Sequence, residues 1–419
     1  MIINNRRFVH CGKFLLRTFF ALWVITFFGC LKRQAARPTP QMDAPPQFWI
    51  NVLLLDDVKN CTLRAACPLA ITDQQTQIRF EQADTPIKAE VGGGKITIAG
   101  QLFTGNELII TAEPPCIFEL NGDRYRGKLK LITNPDGESF DAVNLVPVEP
   151  YLAGVVGAEM PDYWEPQALE AQAIACRTYS LYIKKRFGSS RRWDVTKTQA
   201  NQVYLGVAAE SAHTWEAIDK TSGQVLVCKQ NSTEDIFPAY YSSNCGGHTE
   251  DSEKVFGDTF ESLAGVNCPY CKKTAKPTFF YWPMVEFDKT YVTNKLVQNY
   301  PKLKELGEIT GVIPVGQSSY GDFSRTTLIK LIGSAGKWDL LRAEDFRLTI
   351  DPSGRKIKST IFQIADMGKK WAFVLGRGCG HGVGMCQCGA QAMARESKTA
   401  EEILSYYYPG SKIINIYRK

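Results

Sequence analysis

The segment PQALEAQAIACRTYSLYIKKR, residues 166–186, constrains the fold more than any other part of the chain. Pro166 suits the first position of a helix, where its missing N–H leaves nothing unpaired. From there Leu169, Ala173, Cys176 and Ser180 recur at helical spacing and form one stripe of small side chains. Small side chains let neighbouring elements approach the helix backbone closely. The stripe therefore predicts a central helix rather than a surface one.

The rest of the chain is arranged around that helix. From Phe48 to about Gly137 short alternating runs (Phe48–Leu55, Lys95–Ile98, Glu107–Thr111, Arg126–Ile132) are broken by turn residues at Gly92-Gly93-Gly94 and Asn121-Gly122, the pattern of strands. Residues 277–350 are more polar and carry no chemical signature. Thr399-Ala400-Glu401-Glu402 has capping-box spacing and opens a last helix that stops at Pro409-Gly410. No internal repeat is visible. The expected fold class is α+β: a strand-rich N-terminal part, a central helix carrying the chemistry at its start, and a mixed α/β C-terminal part. With 44% hydrophobic and 22% charged residues, the chain is neither collagen-like, coiled-coil nor wholly disordered.

Net charge would suggest a polyanion partner until it is read by position. The +6 of the whole chain rests on seven basic residues and no acidic one in residues 1–40, and beyond them the balance is about neutral. Nucleic acid is not an expected partner. Arg6, Arg7, Lys13 and Arg17 precede the apolar run Phe19–Gly29, too short to span a bilayer comfortably. A basic start and a short apolar middle describe a secretory signal or membrane anchor over residues 1–29. Gly29-Cys30 resembles a bacterial lipobox, so Cys30 is either lipidated or free beside an uncleaved anchor. Residues 30–47, with Pro38, Pro40, Pro45 and Pro46, read as a tether, and the remainder as exported.

One acid stands out. Glu159 ends the apolar, small-residue run Tyr151–Ala158 and is followed by Met160-Pro161. A carboxyl in such a setting is partly desolvated, which raises its pKa and suits it to general acid work. The alternative is a capping or surface acid. Asp162 and Glu165 follow in the turn and either join it or face solvent. Near the C-terminus, Gly376-Arg377-Gly378-Cys379-Gly380-His381-Gly382-Val383-Gly384 places glycine at alternate positions, but no strand–GxGxxG–helix arrangement supports nucleotide binding.

Thirteen cysteines are many for a chain of 419 residues, and 11 remain without Cys11 and Cys30. Cys245-Gly246-Gly247-His248 and Cys268-Pro269-Tyr270-Cys271 form a CxxH pair and a CxxC pair, the short pairs a structural zinc takes. Zinc held by Cys245, His248, Cys268 and Cys271 is one reading; disulfides, which an exported chain can form, are a second, and free buried thiols a third. Cys61 with Cys67, and two of Cys379, Cys386 and Cys388, are partners by proximity.

Several of these stretches, in order, resemble the SpoIID/LytB family. They are Tyr151–Pro161, Ala168-Leu169, Gln172-Ala173, Arg177-Thr178-Tyr179, Asp194-Val195-Thr196, Gln202-Val203-Tyr204, Ala239–Ser243 with Gly246-Gly247, Leu341-Arg342 with Phe346-Arg347, Gly380–Met385 and Tyr407–Gly410. The likeness covers about 118–417, after a strand-rich region at 48–117, with about 277–340 an insertion or subdomain. It implies a peptidoglycan lytic transglycosylase whose catalytic acid is the glutamate of Glu-Met-Pro, here Glu159. It needs no cofactor for catalysis, because the muramic acid's own 6-hydroxyl attacks. The implied substrate-binding residues are Arg177, Gln172, Tyr179, His381 and Gln387, with Arg177 holding an acidic substituent, Glu159 itself or a surface ion pair. Gln387 survives in a stretch that reads Cys386-Gln387-Cys388-Gly389 where the family usually has Ser-Gln-Tyr-Gly. The zinc site known in some members lies nearer Asp-Val-Thr; Thr198–Gln202 offers no ligands for it. The LytB branch implies a second reading, a non-catalytic wall-binding partner that enhances an amidase.

Overall fold

The computed structural model describes residues 48–417 apart from 114–115, 189 and 231–232. The signal or anchor expected at 1–29, Cys30 and the whole tether of 30–47 lie outside the described residues.

The chain begins as two mainly antiparallel sheets whose inward side chains belong to one apolar cluster. Strand Trp49–Val58 lies between Phe140–Pro147, antiparallel, and the two-residue strand Val195–Thr196, parallel. Lys128–Thr133, Glu107–Ala112, Leu69–Asp73 and Arg79–Gln82 complete that seven-stranded sheet. Strand Glu107–Ala112 shows the rule plainly, burying Leu108, Ile110 and Ala112 while Ile109 and Thr111 stay partly exposed. In the six-stranded sheet the turn residues read from the sequence do their work. Gly93-Gly94 joins Ile87–Gly92 to Lys95–Ile98, and Asn121-Gly122 joins Phe118–Leu120 to Asp123–Tyr125, both as two-residue hairpins.

Helix α1 (Val148–Glu159) follows Pro147 directly and buries every residue from Val148 to Val156. It stops at Met160, which is extended ahead of Pro161. Helix α2 (Pro166–Phe187) has Pro166 at its start and Lys184, Lys185 and Arg186 in its last turn, where cations oppose the helix dipole. Its residues Ala168–Leu181 are all buried, so the helix is enclosed on every side, beyond the single stripe expected. Helices Gln387–Arg395 and Ala400–Tyr407 pack on it. The second of these opens with the reciprocal Thr399–Glu402 capping box that the sequence predicts. A second apolar cluster, with Trp282, Leu296, Ile329, Phe346 and Phe373 among its members, gathers the strands and helices between Trp282 and Phe373 around its own centre. The fold is α+β.

Close packing positions α1. A Cβ on Gly157 would stand 2.0 Å from the carbonyl oxygen of Ala209, a backbone atom in the short helix Gly206–Ala209. Gly157→Ala is therefore expected to cost about 1–3 kcal/mol in urea unfolding. Gly92→Ala, which meets nothing within 4 Å, should stay within about 0.5 kcal/mol of wild type. Equal losses at the two positions would mean that this contact does not hold α1.

Candidate functional site

Glu159 is the last residue of α1, and the break at Met160-Pro161 frees its side chain from the helix. Its Oε1 accepts a 2.7 Å hydrogen bond from the Val203 N–H. Gln387 donates to the Glu159 carbonyl oxygen at 3.3 Å and also to the carboxylate. Burial raises the Glu159 pKa above its ordinary value, and the two donors only partly offset this. Neither donor is a charge. The net result is a carboxyl that holds its proton to higher pH than a free one.

Behind the acid lies a ring of neutral polar side chains. Gln202, fully buried, accepts from the Tyr151 hydroxyl at 2.9 Å and donates to the Tyr241 hydroxyl at 3.0 Å. Tyr241 reaches this position through a two-residue parallel pairing, Tyr241↔Met385 and Ser242↔Cys386. The same pairing brings in Gln387, the residue after Cys386. Asp162 and Glu165, the two nearest acids in sequence, are exposed. Among the described residues no second carboxylate is a cause of the Glu159 shift. Such a site can donate one proton and take it back.

Of the residues expected to touch substrate, Gln387 bonds the acid and Tyr179 lies near enough to feel its charge, while Arg177, Gln172 and His381 make other contacts. Arg177 is fully buried and forms a two-pronged ion pair with Glu149, 3.0 Å to one oxygen and 2.6 Å to the other, with a third bond to the Gln224 carbonyl. Glu149 is also held by the Tyr417 hydroxyl at 2.7 Å. The expected groove role for Arg177 is thus replaced by a clamp between α1, α2 and the chain end, because an enclosed helix leaves its guanidinium no path to solvent. Gln172, also fully buried, donates to the Cys176 sulfur at 3.1 Å. Tyr179 is nearly buried, accepts from Asn201 and packs on Tyr240. His381 lies against Phe256 and Tyr240, and its Nδ1 accepts from the Val383 N–H. Burial lowers its pKa to about 4, so the imidazole is neutral at pH 7.

Gln202, Tyr241 and the Val203 N–H are at the site without having been singled out. The first two lie in stretches that the sequence marks, but a backbone donor has no letter of its own. A cavity of about 210 Å³ is lined by Tyr163, Trp164, Glu165 and His213, and Glu159 is not on its wall.

Four cysteines converge elsewhere in the same layer. The sulfurs of Cys245, Cys268, Cys271 and Cys386 all lie within 4.8 Å of one another, and all four residues are buried. His248, expected as the fourth member, is not among them. After Gly246-Gly247, both with positive φ, its ring stacks on Tyr320 at 3.8 Å and its Nδ1 lies 2.6 Å from the Thr249 carbonyl. Cys386 takes that place because the strand pairing at Tyr241 brings it there. Cys61 is buried in its strand, and Cys67 lies beside Cys116.

A family profile described as SpoIID, Stage II sporulation protein, matches residues 136–228, which include Glu159, α2 and Gln202-Val203. An uncharacterised protein of Brachyspira hyodysenteriae is 34% identical over 301 residues, 72% of this chain and 75% of its own length. The Stage II sporulation protein D of Bacillus subtilis is 30% identical over 287 residues, 65% of this chain and 76% of its own. The Amidase enhancer of Bacillus subtilis is 27% identical over 359 residues, 77% of this chain but 49% of its own.

Two consequences can be measured by denaturation. A free glutamate titrates near 4.5 and the enclosed one higher, so over that interval the native state keeps a proton that the unfolded chain releases. Wild-type stability must then fall as pH rises through it. Glu159→Gln keeps an oxygen for the Val203 N–H and carries no charge. It should therefore unfold at higher urea concentration than wild type at pH 8, with the gap closing at pH 4; a gap that widens at pH 4 would contradict the raised pKa. Arg177→Met should cost about 3–5 kcal/mol by leaving Glu149 buried without its partner, and a variant of wild-type stability would show that the pair is not a clamp.

Proposed function

Because the chain belongs to the SpoIID/LytB family, we propose that it works on the bacterial cell wall as an exported lytic transglycosylase. It cleaves peptidoglycan glycan strands between MurNAc and GlcNAc. Glu159 is its one general acid/base. The observation that carries this reading is a single carboxyl, enclosed enough to raise its pKa, with uncharged donors from Val203 and Gln387 and, among the described residues, no second acid acting on it. A hydrolase of the usual kind works with two carboxyl groups flanking the scissile bond, one of them serving water or the sugar. A transglycosylase needs only one. The Glu159 proton passes to the glycosidic oxygen as the C1–O bond breaks, and GlcNAc leaves with its hydroxyl restored. The carboxylate then takes the proton from the C6 hydroxyl of MurNAc as that oxygen bonds to C1. The product ends in 1,6-anhydroMurNAc, and the acid is restored without water or a cofactor.

The Val203 N–H favours the charged state that follows the first transfer, and enclosure favours the protonated state that precedes it. These opposed effects keep the two states close in energy, as a group that must both give and take a proton requires. The basic, apolar N-terminal segment supports export, with attachment to the membrane through that segment or through a lipid on Cys30. The similarity to the Amidase enhancer supports a second reading, in which the chain binds wall and assists a cell-wall amidase.

The test incubates the purified chain with bare and with peptide-bearing glycan strands and detects anhydromuramyl ends by mass spectrometry. Wild type should produce them, and Glu159→Gln should slow their release by about 10²–10⁴-fold. Equal rates would remove Glu159 from the chemistry. No product from either protein, together with faster release of peptides by an added amidase, would establish the enhancer instead.

A further inference from the structure

We propose that Cys245, Cys268, Cys271 and Cys386 form a structural metal site that binds one zinc ion as a closed tetrathiolate. The four come from three separate parts of the chain: the loop after Tyr241-Ser242, the Cys268–Cys271 turn, and the strand Met385–Cys386. Chance proximity in sequence accounts for only one pair of them.

The spacing of the sulfurs fits a single tetrahedral metal ion. A tetrahedral ion with zinc–sulfur bonds of about 2.3 Å sets its sulfurs about 3.8 Å apart. The Cys245 and Cys271 sulfurs are 3.8 Å apart, and all four fall within 4.8 Å of one another. A disulfide would bring a pair to about 2.0 Å. An iron–sulfur cluster places several atoms between its cysteines, whereas these converge on a single centre. Thiolates are the soft ligands that zinc accepts in closed structural sites, and four of them leave no position for water or substrate.

The surroundings suit bound thiolates. The Cys245 N–H donates to the Cys386 sulfur at 3.3 Å, and the Tyr407 hydroxyl lies 3.2 Å from the Cys268 sulfur. Hydrogen bonds of this kind orient metal-bound sulfur and spread its charge. Both donors come from the same enclosed layer as the ligands.

The position of the site gives it a task. Cys386 directly precedes Gln387, which bonds Glu159, and Cys245 follows closely on Tyr241, which bonds Gln202. One ion would therefore fix both strands that deliver polar groups to the acid. This assignment stands apart from the reaction proposed above, because metal content is read without any turnover.

The chain is purified under reducing conditions and its metal measured by plasma mass spectrometry. About one zinc per chain is expected, unchanged in His248→Ala. Cys386→Ser should lose zinc to a competing chelator at least about tenfold more readily. Zinc below about a tenth of an equivalent in wild type, disulfides among these four cysteines in peptide mapping, or undiminished retention in Cys386→Ser would each overturn the proposal. If Cys386→Ser does not fold, cobalt exchange into wild type decides instead: absorption of a tetrathiolate supports the site, and that of three thiolates with one imidazole defeats it.

Discussion

The enclosure of α2 is the constraint on which the other contacts depend. Ala168, Ala171, Ala173, Ala175 and Cys176 are almost without exposure, so α1, the closing helices and the strand Gln224–Gln230 can all lie against one helix. A helix covered on every side cannot send its polar side chains to water, and each must find a partner inside. Thr178 accepts the Leu226 N–H and donates to the Ile174 carbonyl. Arg177 takes Glu149, and Gln172 takes Cys176. The polar letters of α2 are thus the joints of a packed interior.

The same enclosure sets the electrostatics of the acid. Tyr151, Cys176, Tyr179 and Tyr241 all feel the Glu159 carboxylate, and burial raises the pKa of each. A neighbourhood of groups that resist ionisation is a poor solvent for a second negative charge. It favours a neutral carboxyl. The Val203 N–H and the Gln387 amide supply a limited counterweight that a lysine or arginine at the same spot would exceed.

Much of this was legible in the sequence, and the failures have a common cause. Pro166, the small-residue stripe, the two hairpin turns and the Thr399 capping box are local signals, set by backbone geometry within a few residues, and each appears where it was read. Glu159 was nominated by a resemblance to the family's Glu-Met-Pro; as a lone acid after an apolar run it read equally as a capping or surface acid. For Arg177 an ion pair was one of the readings, but its partner Glu149 lies 28 residues away on another helix, so spacing could name neither the partner nor the burial. His248 was chosen over Cys386 for the same reason: CxxH is a local pattern, while Cys386 arrives by strand pairing from 141 residues away. Spacing can nominate residues, but it cannot tell which distant segment completes a cluster.

That pairing has a consequence for when the acid becomes complete. Gln387 reaches Glu159 across 228 residues of chain, whereas the Val203 N–H comes from only 44 residues away. Contacts of such long range need the closure of a long loop, whose entropy is lost before the contact returns anything. A growing or truncated chain that ends before Cys386 holds Glu159 and its Val203 donor but lacks the strand opposite Tyr241. A copy that stops there therefore carries the acid without the amide that steadies it.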